Sequence, residues 1–380
     1  MMNVVLILPN YNLPVTEPCC YPIGFMMVSA VLKQLGHRVK VLNTNVESHD
    51  LEELHGADAV LFTGFHRFAE FNQAVAGWCR ERGIHTVIGG ELATFKPLEM
   101  LQHFDAVVVG EGELVIEQAL TFRGIIQGKK PNLDTLPYPD YEGFGIDRYN
   151  ELHNTRFMGV LTSRGCPHSC RFCAHTCAFQ FRGLESVFAE IDEYRAAYGV
   201  ALIVFNDNTL NVRKDRFLAI CEGMKERGLI WGAAIRADVF DEEMAKAAKD
   251  SGCHQLLVGV ESFIDAKLEA MNKQITSAQI IAALDLLNKY EIGYYGNVLL
   301  GLPGESYEDI AAEVAAIPPG YAIRPILVKP HSGTEYQTRS ISDAEAQHLD
   351  KLFTEHAYAM PKGRLIPGAA SVDIGQWSIK

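Results

Sequence analysis

The sequence has no long apolar run and no cluster of positive charge, and both absences narrow the possible functions. Its 380 residues contain no apolar stretch of membrane-spanning length, and the start MMNVVLILPN lacks the basic residues that open a signal peptide. Lys and Arg number 34 against 47 Asp and Glu, and the net charge of −13 argues against binding to nucleic acid or an anionic membrane. We therefore predict a cytoplasmic protein without a nucleic-acid partner.

The composition is that of a folded globular protein. Hydrophobic residues make up 48% and charged residues 21%, and 380 residues are enough for two domains with their own cores. The chain has nine cysteines. In a cytoplasmic protein we expect them to be free, buried or metal-bound, because the cytosol keeps thiols reduced.

The first third of the chain alternates short apolar runs with segments of helical periodicity. These patterns predict helices at 23–35, 68–82 and 113–121, and strands at 4–8, 38–43, 59–64, 86–90 and 106–110. Five apolar strands with helical crossovers predict an α/β domain with a doubly wound parallel sheet of the Rossmann or flavodoxin type. Such a sheet binds ligands beyond the carboxyl ends of its strands.

Glycine-rich segments occupy several of these predicted strand ends, namely Thr63-Gly64, Gly89-Gly90-Glu91 and residues 110–113, while Pro9-Asn10 follows the first strand. Glycine allows a backbone to approach a ligand closely, which favours a binding edge. The same residues also suit tight strand-to-helix turns. The segments by themselves leave both interpretations open.

Residues 124–156, rich in Gly and Pro, are predicted to link a first domain over 1–123 to a second βα series over 157–330. The series has strands at 159–161, 202–206, 230–234, 255–259, 292–300 and 323–329, with helices at 184–198, 215–227, 241–251, 277–290 and 305–317. Six repeats are too few for an eightfold barrel, so we predict an open, partial (β/α)6 barrel of the TIM type. A short C-terminal segment, 331–380, contains one further predicted helix.

Three cysteines, Cys166, Cys170 and Cys173, follow the first strand of this series in the segment TSRGCPHSCRFCAH. The C-x3-C-x2-C spacing allows three thiolates to converge on one metal centre. A structural zinc ion would need a fourth ligand, for which a neighbouring histidine or Cys177 is available. A [4Fe–4S] cluster held by three cysteines instead keeps one iron free for another ligand, which is what a catalytic cluster requires.

The loop CPHSCRFC, with Phe172 before its last cysteine, resembles the signature of the radical S-adenosylmethionine (SAM) enzymes. Further segments resemble that family's later strand ends in the same order: FNDNTL (205–210), WGAAIRAD (231–238), GCHQLLVGVES (252–262) and GNVLLGLPGES (296–306). The resemblance covers about 157–330, and the N-terminal half resembles the cobalamin-binding domain joined to many of these enzymes. The whole chain is thus similar to the cobalamin-dependent radical SAM class.

This resemblance implies a mechanism and a set of contacts. The three cysteines would hold the [4Fe–4S] cluster, and SAM would bind its fourth iron. Reductive cleavage of SAM, with electrons from an external donor of the flavodoxin or ferredoxin type, would give a 5′-deoxyadenosyl radical that abstracts hydrogen from an unactivated carbon. A guanidinium suits the methionyl carboxylate of SAM. The implied SAM contacts, each of which could instead be a structural ion pair or turn, are Asn206, Asp207, Arg236, Glu261, Ser262, Gly301 and Gly304.

The resemblance also implies a cobalamin site in the first domain. The base-off cobalamin motif D-x-H-x-x-G is absent, and no histidine follows the first strand to coordinate cobalt. The implied contacts come from the loops at the strand ends: Asn10, Tyr11, Thr63, Gly64, Gly89, Gly90, Glu91, Thr94, Glu111 and Gly112. The alternative is a domain that no longer binds the cofactor and only packs against the barrel or shapes the substrate entrance.

With cobalamin bound, the leading hypothesis is methylation of an unactivated carbon or phosphorus of a small-molecule substrate. The alternative is a radical rearrangement, cyclisation or oxidation in which cobalamin is not bound or does not transfer a methyl group. A tRNA methylthiotransferase-like enzyme would need further clustered cysteines and a basic RNA-binding module, and the sequence shows neither.

Overall fold

The computed structural model describes residues 1–10, 22–153, 156–174, 176–328 and 333–334, and it is an α/β structure with two six-stranded sheets. The chain divides into two compact units. Of the described residues, those up to Gly159 and those of Thr176–Gly199 belong to the first unit, and the others belong to the second. The predicted C-terminal helix lies outside the described residues. None of the helices within those residues is both long and apolar enough to cross a membrane.

In the sheet of the first unit every neighbouring pair of strands is parallel. Its strands are β1 Asn3–Leu8, β2 Arg38–Asn43, β3 Ala59–Thr63, β4 His85–Gly89, β5 Ala106–Val109 and β6 Gly124–Gln127. The helices of this part of the chain are α1 Ile23–Gln34, α2 Ala69–Glu81, α3 Glu91–Phe95, α4 Pro97–Met100, α5 Ile116–Ala119 and α6 Ile146–His153, with 3-10 turns at Leu51–Leu54, His66–Phe68 and Leu133–Thr135. Every residue of β3 is buried, as expected of a parallel strand covered on both faces.

The strand order of this sheet is β2-β1-β3-β4-β5-β6, so the order reverses between β1 and β3. This arrangement is that of flavodoxin-like doubly wound sheets, in which ligands bind beyond the carboxyl ends of the strands beside the reversal. The core packs Ile7 and Phe62 of the central strands with Val75 and Cys79 of α2. The predicted α/β class and the doubly wound first domain are confirmed.

One strand of this sheet, β6, lies in the segment predicted to be a linker, and it pairs with β5. Tyr141 and Phe144 of the same segment are at most 1% exposed. Asp140 accepts hydrogen bonds from the Ser29 hydroxyl at 2.5 Å and from the Lys33 ammonium at 2.7 Å, both on α1. The Gly- and Pro-rich composition predicted irregular backbone here, but it did not indicate these tertiary contacts. The domain boundary after residue 123 stays a prediction.

The second sheet takes its strands in chain order, β7-β10-β11-β12-β13-β14. The strands of this half of the chain are β7 Phe157–Val160, β8 Ser163–Arg164, β9 Gln180–Phe181, β10 Leu202–Phe205, β11 Ile230–Ile235, β12 Cys253–Glu261, β13 Gly293–Leu300 and β14 Ile323–Leu327. Neighbouring strands from β10 to β14 are parallel. The predicted open, six-stranded partial barrel is confirmed.

Helices follow these strands at nearly the predicted positions: α7 Leu184–Tyr198, α8 Lys214–Arg227, α9 Glu242–Asp250, α10 Asp265–Ala270, α11 Ser277–Lys289 and α12 Tyr307–Ala316. Local signals explain the agreement. The helices α7 and α8 each end at a glycine in the left-handed conformation, Gly199 and Gly228. Helix α11 begins with a capping box between Thr276 and Gln279. Short α10, between β12 and α11, has no counterpart in the sequence-based prediction.

Candidate functional site

The three cysteines lie on one tight loop that follows β7, the edge strand of the second sheet. Cys166, Cys170 and Cys173 are half-buried free thiols, and the Cys173 N–H donates a hydrogen bond to the Cys170 carbonyl at 3.1 Å. This turn carries the last two cysteines of the predicted set on one short stretch of backbone. Active sites of barrel folds lie at the carboxyl ends of the strands, and the loop occupies such a position.

The environment of Cys170 and Cys173 disfavours the thiolate form of both side chains in the absence of a metal. Burial raises the pKa of the Cys173 thiol to about 11, and the nearby Cys166 and Cys170 raise it further. Burial also raises the pKa of Cys170, and the charges of Lys273 and Arg236 act in the opposite direction. A desolvated thiol with other thiols nearby becomes a thiolate more readily beside a strong positive charge, which a metal cluster supplies.

The three thiols of the loop are a suitable ligand set for a [4Fe–4S] cluster. Within the described residues, which do not include His175, no three His, Cys, Asp or Glu side chains form a group that would hold one metal ion. Each cysteine of a [4Fe–4S] cluster binds a different iron, so its thiols need not meet at one point as zinc ligands do. The assignment of Cys166, Cys170 and Cys173 as cluster ligands stays a prediction.

Asp207, expected to contact SAM, holds the start of the cysteine loop. Its carboxylate accepts hydrogen bonds from the N–H and hydroxyl of Thr162, both at 2.7 Å, and from the Ser163 hydroxyl at 2.5 Å. Asp207 is 4% exposed, and burial raises its pKa to about 6, although the three hydrogen bonds oppose the rise. The neighbouring Asn206 is half-buried, and its N–H donates to the Val160 carbonyl at 2.8 Å. Direct SAM contacts by these two residues stay predictions.

Arg236, at the end of β11, is buried and already paired. Its Nε and Nη2 donate to the Asp238 carboxylate at 2.9 and 3.2 Å, and Nη2 also donates to the Lys273 carbonyl at 3.0 Å. The guanidinium nevertheless lies near enough to Cys170 to lower the pKa of that thiol. A ligand carboxylate would therefore share Arg236 with Asp238, and the predicted SAM contact is untested.

Glu261, the last residue of β12, is close to the same loop. Its Oε1 accepts a hydrogen bond from Lys273 Nζ at 2.8 Å, and its backbone has a φ of 65°, which non-glycine residues rarely adopt. Lys273 is 5% exposed, and its Nζ lies 5.7 Å from the centre of the Phe172 ring. The structure thus brings the predicted Arg236 and Glu261 together with the cysteines, through Lys273.

Ser262, the next predicted SAM contact, is fully buried. Its hydroxyl donates to Glu313 Oε2 at 2.7 Å, and the Phe263 N–H donates to Glu313 Oε1 at 3.0 Å. Lys267 Nζ lies 3.4 Å from the Glu313 carboxylate and 2.6 Å from that of Glu305. These contacts hold the backbone that follows β12. A contact between SAM and the Ser262 hydroxyl would therefore compete with Glu313.

The turn after β13 has the glycines that its shape requires. Gly301 and Gly304 have φ values of 72° and 89°, a region that L side chains rarely adopt. The Leu302 N–H donates to Glu305 Oε2 at 2.9 Å, so the turn is joined to the half-buried ion pair between Glu305 and Lys267. The shape of the turn is enough to explain why both residues are glycine. Their contact with SAM stays a prediction.

Lys273 and Asn272 were not identified from the sequence. They follow α10 in the segment AMNKQ, which carries no spacing that indicates a site. Only the tertiary structure places Lys273 beside Glu261 and Asn272 beside Ser169 of the cysteine loop. The only sequence signal for Lys273 is that a basic residue lies between the strand-end segments 252–262 and 296–306.

In the first unit, the ends of β3 and β4 approach so closely that both need glycine. The Gly64 N–H donates to the Gly89 carbonyl at 2.7 Å, and a Cβ on Gly64 would lie 2.8 Å from that oxygen. Gly90 has a φ of +88°, and a Cβ there would lie 3.2 Å from Gly64 N. A Cβ on Gly89, by contrast, would meet nothing within 4 Å. The edge therefore presents open backbone where the resemblance places cobalamin.

Other predicted cobalamin residues extend this edge. The Thr94 hydroxyl donates to the Gly90 carbonyl at 2.8 Å and accepts from the Gly110 N–H at 3.0 Å, which joins the loops after β4 and β5. Asn10 donates to the Thr44 carbonyl at 3.0 Å, and Tyr11 lies outside the described residues. The remaining predicted residues stand on the same loops: Thr63, whose carbonyl accepts from Asn72, half-buried Glu91 and Gly112, and Glu111, which accepts from Gln180. This glycine-rich cradle suits a bulky planar cofactor.

Comparison with known protein families agrees with both halves of this description. Residues 160–316 match the model of the radical SAM superfamily, and residues 12–120 match that of the B12 binding domain. The first range contains the cysteine loop and every predicted SAM residue. The second contains the glycine-lined edge of the first sheet. Families of these two kinds use a [4Fe–4S] cluster with SAM and cobalamin, respectively.

Individual relatives cover most of the chain. It is 32% identical over 262 residues to an uncharacterized methyltransferase of Pyrococcus horikoshii, covering 61% of this chain and 57% of the relative. It is 26% identical over 358 residues to a bacteriochlorophyllide d C-12(1)-methyltransferase of Chlorobaculum tepidum, covering 90% and 78%. The solved structure of the cobalamin-dependent SAM radical enzyme OxsB, with aqua-cobalamin bound, shares the fold with a TM-score of 0.72 at 17% identity, covering 95% of this chain and 57% of OxsB.

The two family matches, the strand-end cysteine loop and the glycine-lined edge agree with one another. Each match coincides with one of the two parallel sheets, and the shared fold extends over almost the whole chain. The chain therefore carries a radical SAM domain over residues 160–316, preceded by a B12 binding domain over residues 12–120.

Proposed function

We propose that this protein is a cobalamin-dependent radical SAM methyltransferase that acts on an unactivated carbon, or on phosphorus, of a small-molecule substrate. The observation that carries the proposal is the coexistence of two strand-end sites in one chain: a loop of three coupled thiols and a glycine-lined edge. The names of the relatives in Pyrococcus horikoshii and Chlorobaculum tepidum support methyl transfer. The substrate, the whole activity and the partners belong to the proposal, because this chain spans only 57% of the first relative.

In this proposal residues 1–123 hold cobalamin, 124–156 connect the domains, 157–330 form the radical SAM barrel and 331–380 form a C-terminal segment. When bound, the cluster and SAM supply a carbon-centred radical, and cobalamin supplies the methyl group. The protein is cytoplasmic, receives electrons from a flavodoxin- or ferredoxin-type donor, and has no nucleic-acid partner. Its net charge of −13 supports the last point.

The residues of the chain bind, position and exclude water. Cys166, Cys170 and Cys173 hold the cluster as thiolates, and the cationic Lys273 and Arg236 reduce the energetic cost of that negative charge. Glu261 neutralises Lys273 and fixes its ammonium at the end of β12. In a water-poor site such fixed charges act more strongly than they would in solvent.

The contacts expected for SAM are Asn206, Asp207, Arg236, Glu261, Ser262 and the Gly301–Gly304 turn. Arg236 is the one cation among them, so it would orient the methionyl carboxylate. On the first sheet, the backbone of Thr63–Gly64 and that of Gly89–Gly90 would lie against the corrin. The first strand ends at Leu8 and leads into PNYNLPVTEP, which contains no histidine, so no histidine of that loop would coordinate cobalt.

Anaerobic reconstitution tests the proposal. Protein loaded with iron, sulfide and hydroxocobalamin should retain about four irons per chain and a corrin absorption spectrum. Addition of SAM should change the electron paramagnetic resonance signal of the reduced cluster. After the bound cobalamin is reduced to Co(I) with a chemical reductant, label from the methyl group of SAM should appear in the protein-bound corrin. The matched control replaces Cys166, Cys170 and Cys173 together by Ala, which should abolish iron binding but not corrin binding.

Two results would contradict the proposal in different ways. Iron retained by the triple variant, or zinc alone in the wild type, would overturn the radical SAM assignment of the cysteine loop. Failure to bind corrin under conditions that load the cluster would overturn methyl transfer alone. A SAM-initiated rearrangement, cyclisation or oxidation would then replace it.

A further inference from the structure

The turn that follows α10 has an unusual backbone. Asn272 and Gln274 have φ values of 52° and 58°, in the left-handed region that costs non-glycine residues free energy. Between them lies Lys273, which is 5% exposed. Two strained residues around a buried lysine persist only where surrounding contacts hold them. Those contacts lead to the cysteine loop on one side and to the strand ends on the other.

Toward the cysteine loop, the turn makes three hydrogen bonds, and the last residue of α10 makes a fourth. Asn272 Nδ2 donates to the Ser169 carbonyl at 2.8 Å and lies 3.0 Å from the Ser169 hydroxyl. The Arg171 N–H donates to the Met271 carbonyl at 3.0 Å, and Arg171 Nη1 donates to the Ala270 carbonyl at 3.1 Å. Ser169 and Arg171 stand on either side of Cys170. The contacts therefore hold the middle cysteine from both flanks.

Toward the sheet, the same turn is anchored to two strand ends. The Lys273 carbonyl accepts from Arg236, which follows β11, and the Lys273 ammonium donates to Glu261, which ends β12. The turn thus connects the cysteine loop to rigid elements of the fold. An arrangement of this kind transmits the geometry of the sheet to the thiols.

We propose that the turn Met271–Gln274 is a clasp for the cysteine loop and that Asn272 is its positioning residue, setting how firmly the loop holds the cluster. The inference rests on the proposed function, because it assumes that Cys166, Cys170 and Cys173 bind the cluster. It goes beyond that function by assigning a role to a segment outside the cysteine loop and outside the predicted SAM residues.

The test compares two glycine variants of the full-length, reconstituted protein. Asn272→Gly removes the two side-chain hydrogen bonds to Ser169, while glycine accepts the left-handed backbone without strain. Gln274→Gly is the matched control, because Gln274 has the same backbone conformation and an exposed side chain. Asn272→Asp is a second test variant: it tolerates the same φ but cannot donate as a carboxylate.

The readouts are the rate of iron loss to a chelator, the electron paramagnetic resonance signal of the reduced cluster, and the melting temperature of the cluster-free protein. Asn272→Gly and Asn272→Asp should lose iron about tenfold faster than the wild type, the effect expected from losing one or two hydrogen bonds. The electron paramagnetic resonance signals of these two variants should differ in shape from that of the wild type. Gln274→Gly should match the wild type in both, and all three variants should stay folded, with melting temperatures within a few degrees of the wild-type value.

Two results overturn the inference while the proposed function stands. In the first, both Asn272 variants release iron at the wild-type rate. In the second, Gln274→Gly accelerates release as much as Asn272→Gly, which would assign the effect to the backbone and not to the Asn272 side chain. If wild-type protein binds no cluster, the proposed function fails, and this inference fails with it.

Discussion

The backbone N–H and the hydroxyl of Thr162 both donate to the carboxylate of Asp207, each at 2.7 Å. Thr162 stands four residues before Cys166, and Asp207 follows β10, so the pair joins the start of the cysteine loop to the neighbouring strand end. Arg216 of α8 donates to the Thr162 carbonyl at 2.8 Å and completes the connection. The buried Asp207 carboxylate therefore positions the start of the cysteine loop, whether or not it also contacts SAM.

Asp207 should make the stability of the protein depend on pH in an unusual direction. Burial raises its pKa from 3.8 to about 6, so between these values the folded chain holds a proton that the unfolded chain has released. Its contribution therefore favours folding at the acid end and is lost as the pH rises toward 6. We expect Asp207→Asn to remove this dependence, which amounts to roughly 3 kcal/mol at most.

Urea unfolding of the cluster-free protein at about pH 5 and about pH 7 measures the effect, because only the difference between wild type and variant matters. Asp207→Ala serves as the control, since it removes the acceptors of Thr162 and Ser163 as well as the charge. It should be less stable than Asp207→Asn at both pH values. If the free energy of unfolding depends equally on pH in the wild type and in Asp207→Asn, Asp207 is not the source of the pH dependence.

Much of the fold could be predicted from the sequence because its signals are local. Apolar runs marked β1 and β3, and a glycine after α7 and α8 marked the helix ends within one or two residues. The strand β6 was missed, because its four residues lie in a Gly- and Pro-rich segment and are stabilised by pairing with β5. That pairing joins distant segments, and no local pattern indicates it.

The site was predictable only as far as its motifs extend. The cysteine spacing and the strand-end segments identified Arg236 and Glu261, which the structure places beside Cys170. Their partners Asp238 and Lys273 could not be inferred, because a charge is seen to be paired only once the chain has folded. The sequence left open whether Arg236 contacts SAM or forms a structural ion pair, and the structure shows it in an ion pair with Asp238.

Arg236→Lys tests whether the guanidinium serves SAM or only Asp238. A lysine keeps the charge but loses the two-pronged geometry that suits a carboxylate, so SAM affinity should fall about tenfold or more. The control is Asp238→Asn, which removes the charge of the internal partner and retains an acceptor. It should leave SAM affinity nearly unchanged, as measured by equilibrium binding to the reconstituted protein. Equal losses in both variants would indicate a purely structural pair.

Glu313 should be important for stability although it lies on α12, away from the thiols. Its carboxylate is 0% exposed and accepts from the Ser262 hydroxyl and the Phe263 N–H, with Lys267 at 3.4 Å. Glu313→Ala would leave these donors and the lysine charge buried without their acceptor. We expect a loss of about 3 kcal/mol in the free energy of unfolding.

Glu313→Gln is the matched control, because it keeps an acceptor oxygen of the same size. It should lose about half as much stability as Glu313→Ala in urea unfolding, or less. Iron content should be unchanged in both variants. If Glu313→Ala is as stable as the wild type, the Glu313 carboxylate does not hold the segment that contains Ser262.

The glycine-lined edge of the first sheet gives the sharpest test of cobalamin binding. Bulk at Gly90 would give an ambiguous result, because its φ of +88° makes any side chain there a source of backbone strain. Gly89 has no such strain, and a Cβ there meets nothing within 4 Å. Gly89→Phe should therefore fold normally while it fills the space beside the strand end, where the corrin is expected.

We expect Gly89→Phe to abolish corrin absorption in the reconstituted, gel-filtered protein and to leave the iron content unchanged. Gly77→Phe is the matched control: Gly77 lies on α2 of the same unit, and a Cβ there also meets nothing within 4 Å. That variant should bind cobalamin as the wild type does. If Gly89→Phe retains cobalamin, the corrin does not lie over the ends of β3 and β4. Loss of cobalamin from both variants would mean that added bulk, and not its place at this edge, removes the cofactor.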